Sequence, residues 1–208
     1  MGGNNSKAEL REGEEHLDLI HVPFLEGSHF ESYKWGKVHE LLHTFRPGDL
    51  IAVFRNPEVK HFTVCLTDGW VIHFYAKGRQ GSKADTMAIF EYLVNSTILG
   101  NKDSTDKEGV VALEKIKHVA GSDSCAVVNN NNHMYFHLSF TGKRLVRRSN
   151  EAIVQAARDA FDKAKSHGAP KYNLKFYNCE HFAMELRYGV AMSVQTGDFN
   201  GSVPKDDL

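Results

Sequence analysis

Two alternating runs, His61–Leu66 and Trp70–Ala76, are separated only by Thr67-Asp68-Gly69, and this stretch limits the possible folds more than any other. Alternation with a period of two is strand patterning, and Asp-Gly between two such runs is hairpin chemistry, because both residues tolerate positive φ. A two-residue loop pairs Leu66 with Val71 and puts Phe62, Val64 and Leu66 beside Val71, His73 and Tyr75. A three-residue loop with Gly69 left-handed pairs Leu66 with Trp70, giving one face of Phe62, Val64, Leu66, Trp70, Ile72 and Phe74. That face is wholly apolar, so the three-residue loop is expected. The same register sends His61, Thr63 and Cys65 to the other face with Val71, His73 and Tyr75. His61 and His73 become diagonal neighbours, roughly 7–8 Å apart at the backbone. Such a pair fits either half-exposed strand histidines or two imidazoles aimed at one spot.

A second stretch, Tyr177–Gly189, reads YNCEHFAMELRYG. Asn178 suits a helix N-cap, and Phe182, Leu186 and Val190 recur at helical spacing. Cys179 then falls in the first turn, where backbone N–H groups and the positive end of the helix dipole favour thiolate and face a developing oxyanion. The plainer alternative is a small buried hydrophobe, the common fate of an unpaired cysteine. Together, a helix-head cysteine and a strand face with two histidines are the parts of a Cys-His nucleophilic site. One imidazole takes the thiol proton, and the second orients it and stabilises its charged form. His61 is the expected base and His73 the orienter.

Around these stretches the chain organises as α+β. Arg46-Pro47-Gly48-Asp49 is turn chemistry that precedes a strand at Leu50–Phe54. Residues 77–109 read as an insertion around the apolar patch Met87–Val94, with an exposed loop at Gly100–Gly109. Val110–Ala120 alternates like a strand, and Asn150 is placed to cap a helix to about His167 with Ile153, Val154, Ala157, Phe161 and Ala164 on one stripe. The expected divisions are an N-terminal extension over 1–45, a catalytic domain over 46–195 and a polar tail over 196–208.

A formal charge of −1 argues against a general nucleic-acid partner. The three cysteines form no CxxC pair, and their odd number excludes a complete internal disulfide set, which points to a reducing, cytoplasmic setting. The histidines scattered between His21 and His39 lack the clustering of metal ligands, so no metal or cofactor is expected. No apolar run reaches membrane-span length and no signal peptide opens the chain. Met-Gly-Gly-Asn-Asn-Ser fits N-myristoylation, with Gly2 as acceptor and Ser6 at the favoured position, although a flexible polar terminus reads the same way. One acyl chain binds membrane only marginally, so any such attachment is expected to be reversible. Lys205-Asp206-Asp207-Leu208 resembles an ER-retention address, but without an entry signal it reads as a polar tail.

Pro47-Gly48-Asp49-Leu50-Ile51, His61-Phe62 with His73, Val119-Ala120-Gly121-Ser122-Asp123, Asn178-Cys179-Glu180-His181-Phe182 and Glu185-Leu186-Arg187-Tyr188-Gly189-Val190-Ala191 occur in the order known from one family. From about residue 46 to 195 the chain resembles the lecithin:retinol acyltransferase-like proteins, most closely the H-Ras-like-suppressor phospholipase A/acyltransferases. The resemblance implies a circularly permuted papain-like fold of the NlpC/P60 type, with the cysteine helix packed on an antiparallel sheet. It also implies a thioester acyl-enzyme on Cys179, with His61 as general base and His73 as third member. The retinol-specific branch tends not to have histidine there, so His73 favours the phospholipid branch. Arg55 matches an arginine near the family's active site, where it either contacts substrate or oxyanion or is a solvated strand-end residue. His181 belongs to the motif and is read as support for the helix.

Three departures stand out, one of them the long extension before Pro47. Members of this branch commonly carry a C-terminal apolar anchor, whereas thirteen mostly polar residues follow Gln195, and Phe62 stands where tryptophan is frequent. The expected function is a phospholipase A1/A2-type acyl hydrolase and acyltransferase on glycerophospholipid at a membrane surface, reached through an N-myristoyl group on Gly2. The rivals are an NlpC/P60-type cysteine amidase or peptidase and a non-enzymatic membrane-associated signalling protein. Acyl donor, acceptor and oligomeric state are not written in the sequence.

Overall fold

In the computed structural model, which describes residues 33–56, 59–78, 106–129, 147–193, 195 and 198–202, the two alternating runs form strands β2 (Val59–Thr67) and β3 (Trp70–Ala76). Their register, Thr63 opposite His73 and Val64 opposite Ile72, is the expected one, but the turn is not. Thr67 pairs with Trp70 across a two-residue turn in which Asp68 and Gly69 both have positive φ, 46° and 72°. The odd residue is Leu66, which bulges between the Cys65–Val71 and Thr67–Trp70 pairs. A primed two-residue turn matches the twist of the strands, and the bulge restores the alternation that keeps Phe62, Val64, Ile72 and Phe74 together. Trp70, expected on that apolar face, is instead 42% exposed, with the Lys115 ammonium 4.7 Å above its ring.

Strand β1 (Leu50–Asn56) pairs with β2, and β4 (Lys107–Lys115) pairs with β3. The short strands β5 (Cys125–Val127) and β6 (Lys171–Tyr172) close the sheet in the order β5-β1-β2-β3-β4-β6, antiparallel throughout. β7 (Ala191–Ser193) and β8 (Asp198–Ser202) form a separate two-stranded pair. The class is α+β. The strand-like reading of Val110–Ala120 is correct only to Lys115, because Ile116–Ala120 is a short helix, α2. Ile116, Val119 and Ala120 are its buried residues, a helical spacing that the preceding alternation obscures. The loop expected at Gly100–Gly109 likewise yields its last residues to β4. Gly109 is needed there: a Cβ would stand 2.2 Å from the Pro170 carbonyl oxygen and 2.5 Å from the Phe74 ring.

One sheet face, with Leu50, Ala52, Phe62, Val64, Ile72 and Phe74, is covered by helices α3 (Asn150–His167) and α4 (Cys179–Tyr188) through Ile153, Ala157, Phe182 and Leu186. The helix α3 is capped by Ser149, whose hydroxyl accepts the Ala152 N–H, one residue before the expected Asn150. The other face, with Ile51, Val53, Cys65 and Val71, is covered by α1 (Val38–Leu41), Phe45 and α2. Val38, Leu41 and Phe45 are buried there, so the boundary expected at residue 46 divides a packed layer. β8 likewise carries regular structure beyond the expected end at 195. Gly2, Ser6 and the Met87–Val94 patch lie outside the described residues. Among those described, no helix is long and apolar enough to cross a membrane.

Candidate active site

His61 and His73 project from the face that also carries Thr63, Cys65 and Val71, as strand alternation dictates. Because Thr63 stands opposite His73, His61 is the diagonal neighbour, and the rings meet: His61 Nε2 lies 2.9 Å from His73 Nδ1, with the ring planes at 89°. Both rings are buried, and Tyr75 stacks on His73 at 5.1 Å. A 2.9 Å contact between two ring nitrogens requires one to carry the proton and the other a lone pair. Burial first, then the facing His73 and the Arg55 guanidinium, hold His61 well below the usual histidine range. Its ring is therefore neutral at ordinary pH, which is the form able to accept a proton.

Cys179 is the first residue of α4, and the helix packs across β2 and β3. The helix starts there because Asn178 has extended backbone and its side-chain oxygen accepts the Glu180 and His181 N–H groups at 2.8 and 3.2 Å. His181 Nδ1 in turn accepts the Asn178 N–H at 3.2 Å, a reciprocal cap that makes this imidazole a structural element of the helix head. Those two first-turn donors belong to the cap, so the sequence expectation of several open N–H groups for an oxyanion narrows. The dipole field at the sulfur is unaffected. Gly189, left-handed with φ of 75°, ends the helix. Arg187, fully buried, reaches back to the Gly48 carbonyl and Asn129, fastening the far end of α4 to the turn before β1.

Arg55 is not the solvated strand-end residue that was one of its two readings. Its side chain is 2% exposed, with one amino group 2.5 Å from Asp123 and the other donating to the Val119 carbonyl at 2.8 Å. Its Nε has no hydrogen-bond partner among the described residues. The guanidinium is thus held as a fixed positive charge near His61, tying the end of β1 to the Val119–Asp123 segment.

Three side chains that the sequence reading passed over complete the surroundings. Glu180, fully buried beside Cys179, accepts the Ser193 hydroxyl at 2.6 Å and the Gln195 N–H at 3.1 Å. Gln195 then accepts the Lys60 N–H at 2.8 Å, next to His61. A hydrogen-bonded strap therefore runs from the residue after the cysteine to the residue before the histidine. Glu114 on β4 places a carboxylate oxygen 3.6 Å from His73 Nε2. Its parity on β4 was the available signal, but the pairing of β4 with β3 spans an insertion that sequence patterning does not bridge.

A family model described as lecithin retinol acyltransferase matches residues 43–192. Phospholipase A and acyltransferase 3 of Homo sapiens is 33% identical over 153 residues, covering 74% of this chain and 76% of that protein. The human phospholipase A and acyltransferases 1 and 2 are each 29% identical over 150 residues, covering 72% of this chain and 71% and 75% of their own lengths.

Proposed function

The chain belongs to the lecithin retinol acyltransferase family, and from that premise we propose that it is a phospholipid acyl hydrolase and acyltransferase acting through a thioester on Cys179. The observation that carries the reading is the contact between two buried imidazoles on the strands crossed by the helix that Cys179 heads. On this reading the fold is a permuted papain-like one of NlpC/P60 type.

The proposed reaction is acyl transfer in two halves. His61 takes the thiol proton as the sulfur attacks the ester carbonyl of a glycerophospholipid, and the C–S bond forms as the carbonyl oxygen takes up negative charge. Collapse of that adduct breaks the ester C–O bond, and His61 returns its proton to the departing glycerol oxygen, leaving the acyl group on sulfur. Water, an amine or another lipid hydroxyl then attacks the thioester, giving its proton to His61, and the thiol is regenerated. The helix dipole favours negative charge at the sulfur. Membrane access is assigned to an acyl chain on Gly2 and is read as reversible.

Incubation with phosphatidylcholine followed by intact-protein mass spectrometry should show one fatty-acyl adduct on Cys179, absent in Cys179→Ala and strongly reduced in His61→Ala. An unmodified mass with unchanged lipid under conditions where the protein is folded would refute the proposal.

A further inference from the structure

The His73 Nε2 atom is buried and, among the described residues, has no hydrogen-bond partner, yet it is 3.6 Å from Glu114 Oε1, while the other nitrogen of the same ring touches His61 at 2.9 Å. The backbone explains the placement. His73 stands opposite Ala112 on β4, and Glu114 opposite Val71, so Glu114 is the diagonal neighbour of His73 on the strand face that carries both histidines.

A carboxylate only accepts hydrogen bonds. Facing Glu114, Nε2 of His73 is favoured as the protonated nitrogen, which leaves the lone pair on His73 Nδ1. That lone pair must accept from His61 Nε2–H, and the basic lone pair of His61 is then on Nδ1. We propose that Glu114 is a positioning residue of the acyl-transfer site, setting the tautomers of His73 and His61 in series so that His61 presents a basic Nδ1. The inference rests on the reading of His61 as the general base. Reversing the series would put protons on His73 Nδ1 and His61 Nδ1, leaving the base unable to accept the thiol proton. Glu114 also stabilises the positive charge that His61 acquires during acylation, through the intervening ring.

Among the described residues, the charged and titratable groups around the pair are His61 on β2, Arg55 on β1, Glu114 on β4, His118 on α2 and the ring of Tyr75 beside His73 on β3. His73 is the first cause holding the Glu114 carboxyl below its usual range, with His118 a lesser one, so the carboxylate stays charged through the neutral range.

The test compares wild type with Glu114→Gln and Glu114→Asp, using three readouts: phosphatidylcholine turnover, the pH profile of Cys179 alkylation by iodoacetamide, and the ¹⁵N signature of the His73 tautomer. The wild type should show His73 protonated at Nε2. Gln keeps the size but can present its amide NH₂ to Nε2, so a shifted tautomer population is expected. kcat should fall about tenfold with KM within about twofold, and the alkylation profile should move to higher pH. Asp should retain the wild-type tautomer and recover part of the rate. Unchanged tautomer and alkylation profiles in Glu114→Gln would overturn the proposal, as would a rate loss matched only by a lower melting temperature. If these two readouts shift while wild type turns over no phospholipid, the tautomer relay stands and the assigned substrate falls.

Discussion

With His61 held neutral in the fold and able to protonate once unfolded, the unfolded chain binds the extra proton below the ordinary value of 6.5. The stability this difference represents is fully present above that pH and is lost as pH falls from about 6.5 toward the depressed folded value, at up to about 1.4 kcal/mol per pH unit. Thermal melts between about pH 7.5 and pH 5 should show this decline, and His61→Gln should flatten it; parallel curves would contradict the assignment. The cysteines differ in the same way. Burial pushes the Cys65 and Cys125 thiols up to about 11, so little thiolate exists there at neutral pH. Peptide mapping after brief iodoacetamide treatment near pH 8 should find Cys179 labelled at least tenfold faster than either. Equal labelling would remove the case for an activated sulfur.

The head of α4 is the element on which the sulfur's position depends. Asn178→Ala orphans the Glu180 and His181 N–H groups and loses the donation from the Asn178 amide to the Leu174 carbonyl at 2.8 Å. Loss of such a cap costs about 1–2 kcal/mol, and turnover should fall further than stability because the first turn carries Cys179. Chemical denaturation alongside a hydrolysis assay checks both halves. Between β4 and β6 the constraint is steric. Gly109→Ala forces a methyl onto the Pro170 carbonyl and the Phe74 ring, and overpacking of this kind costs about 1–3 kcal/mol. A variant with an unchanged denaturation midpoint would show that the contact relaxes without cost.

Across the whole molecule, the proposed site requires the α4 head and the start of β2 to keep their relative position, and the Glu180–Gln195–Lys60 strap links the two. Gln195→Ala keeps its backbone donation to Glu180 but loses the bond to Lys60, worth about 1 kcal/mol. Turnover should drop severalfold with only a small shift in melting temperature; loss confined to stability would reduce the strap to a structural tie. Local patterning alone was enough to write the β2–β3 register and the histidine face, because period-two alternation forces His61 and His73 to one side once the apolar residues choose the other. It was likewise enough for the cap at Asn178 and the helix it starts, since capping is a matter of a few consecutive residues. Patterning did not decide the Leu66 bulge, the helix at Ile116–Ala120 or the inclusion of Val38, Leu41 and Phe45 in the core, where packing overrides local preference. Nor could it place Glu114 beside His73, anchor Arg55 on Asp123 or run Gln195 to Lys60. Those contacts join residues far apart in the chain, and only closing the sheet and laying the helices on it brings their atoms within hydrogen-bonding or Coulombic range.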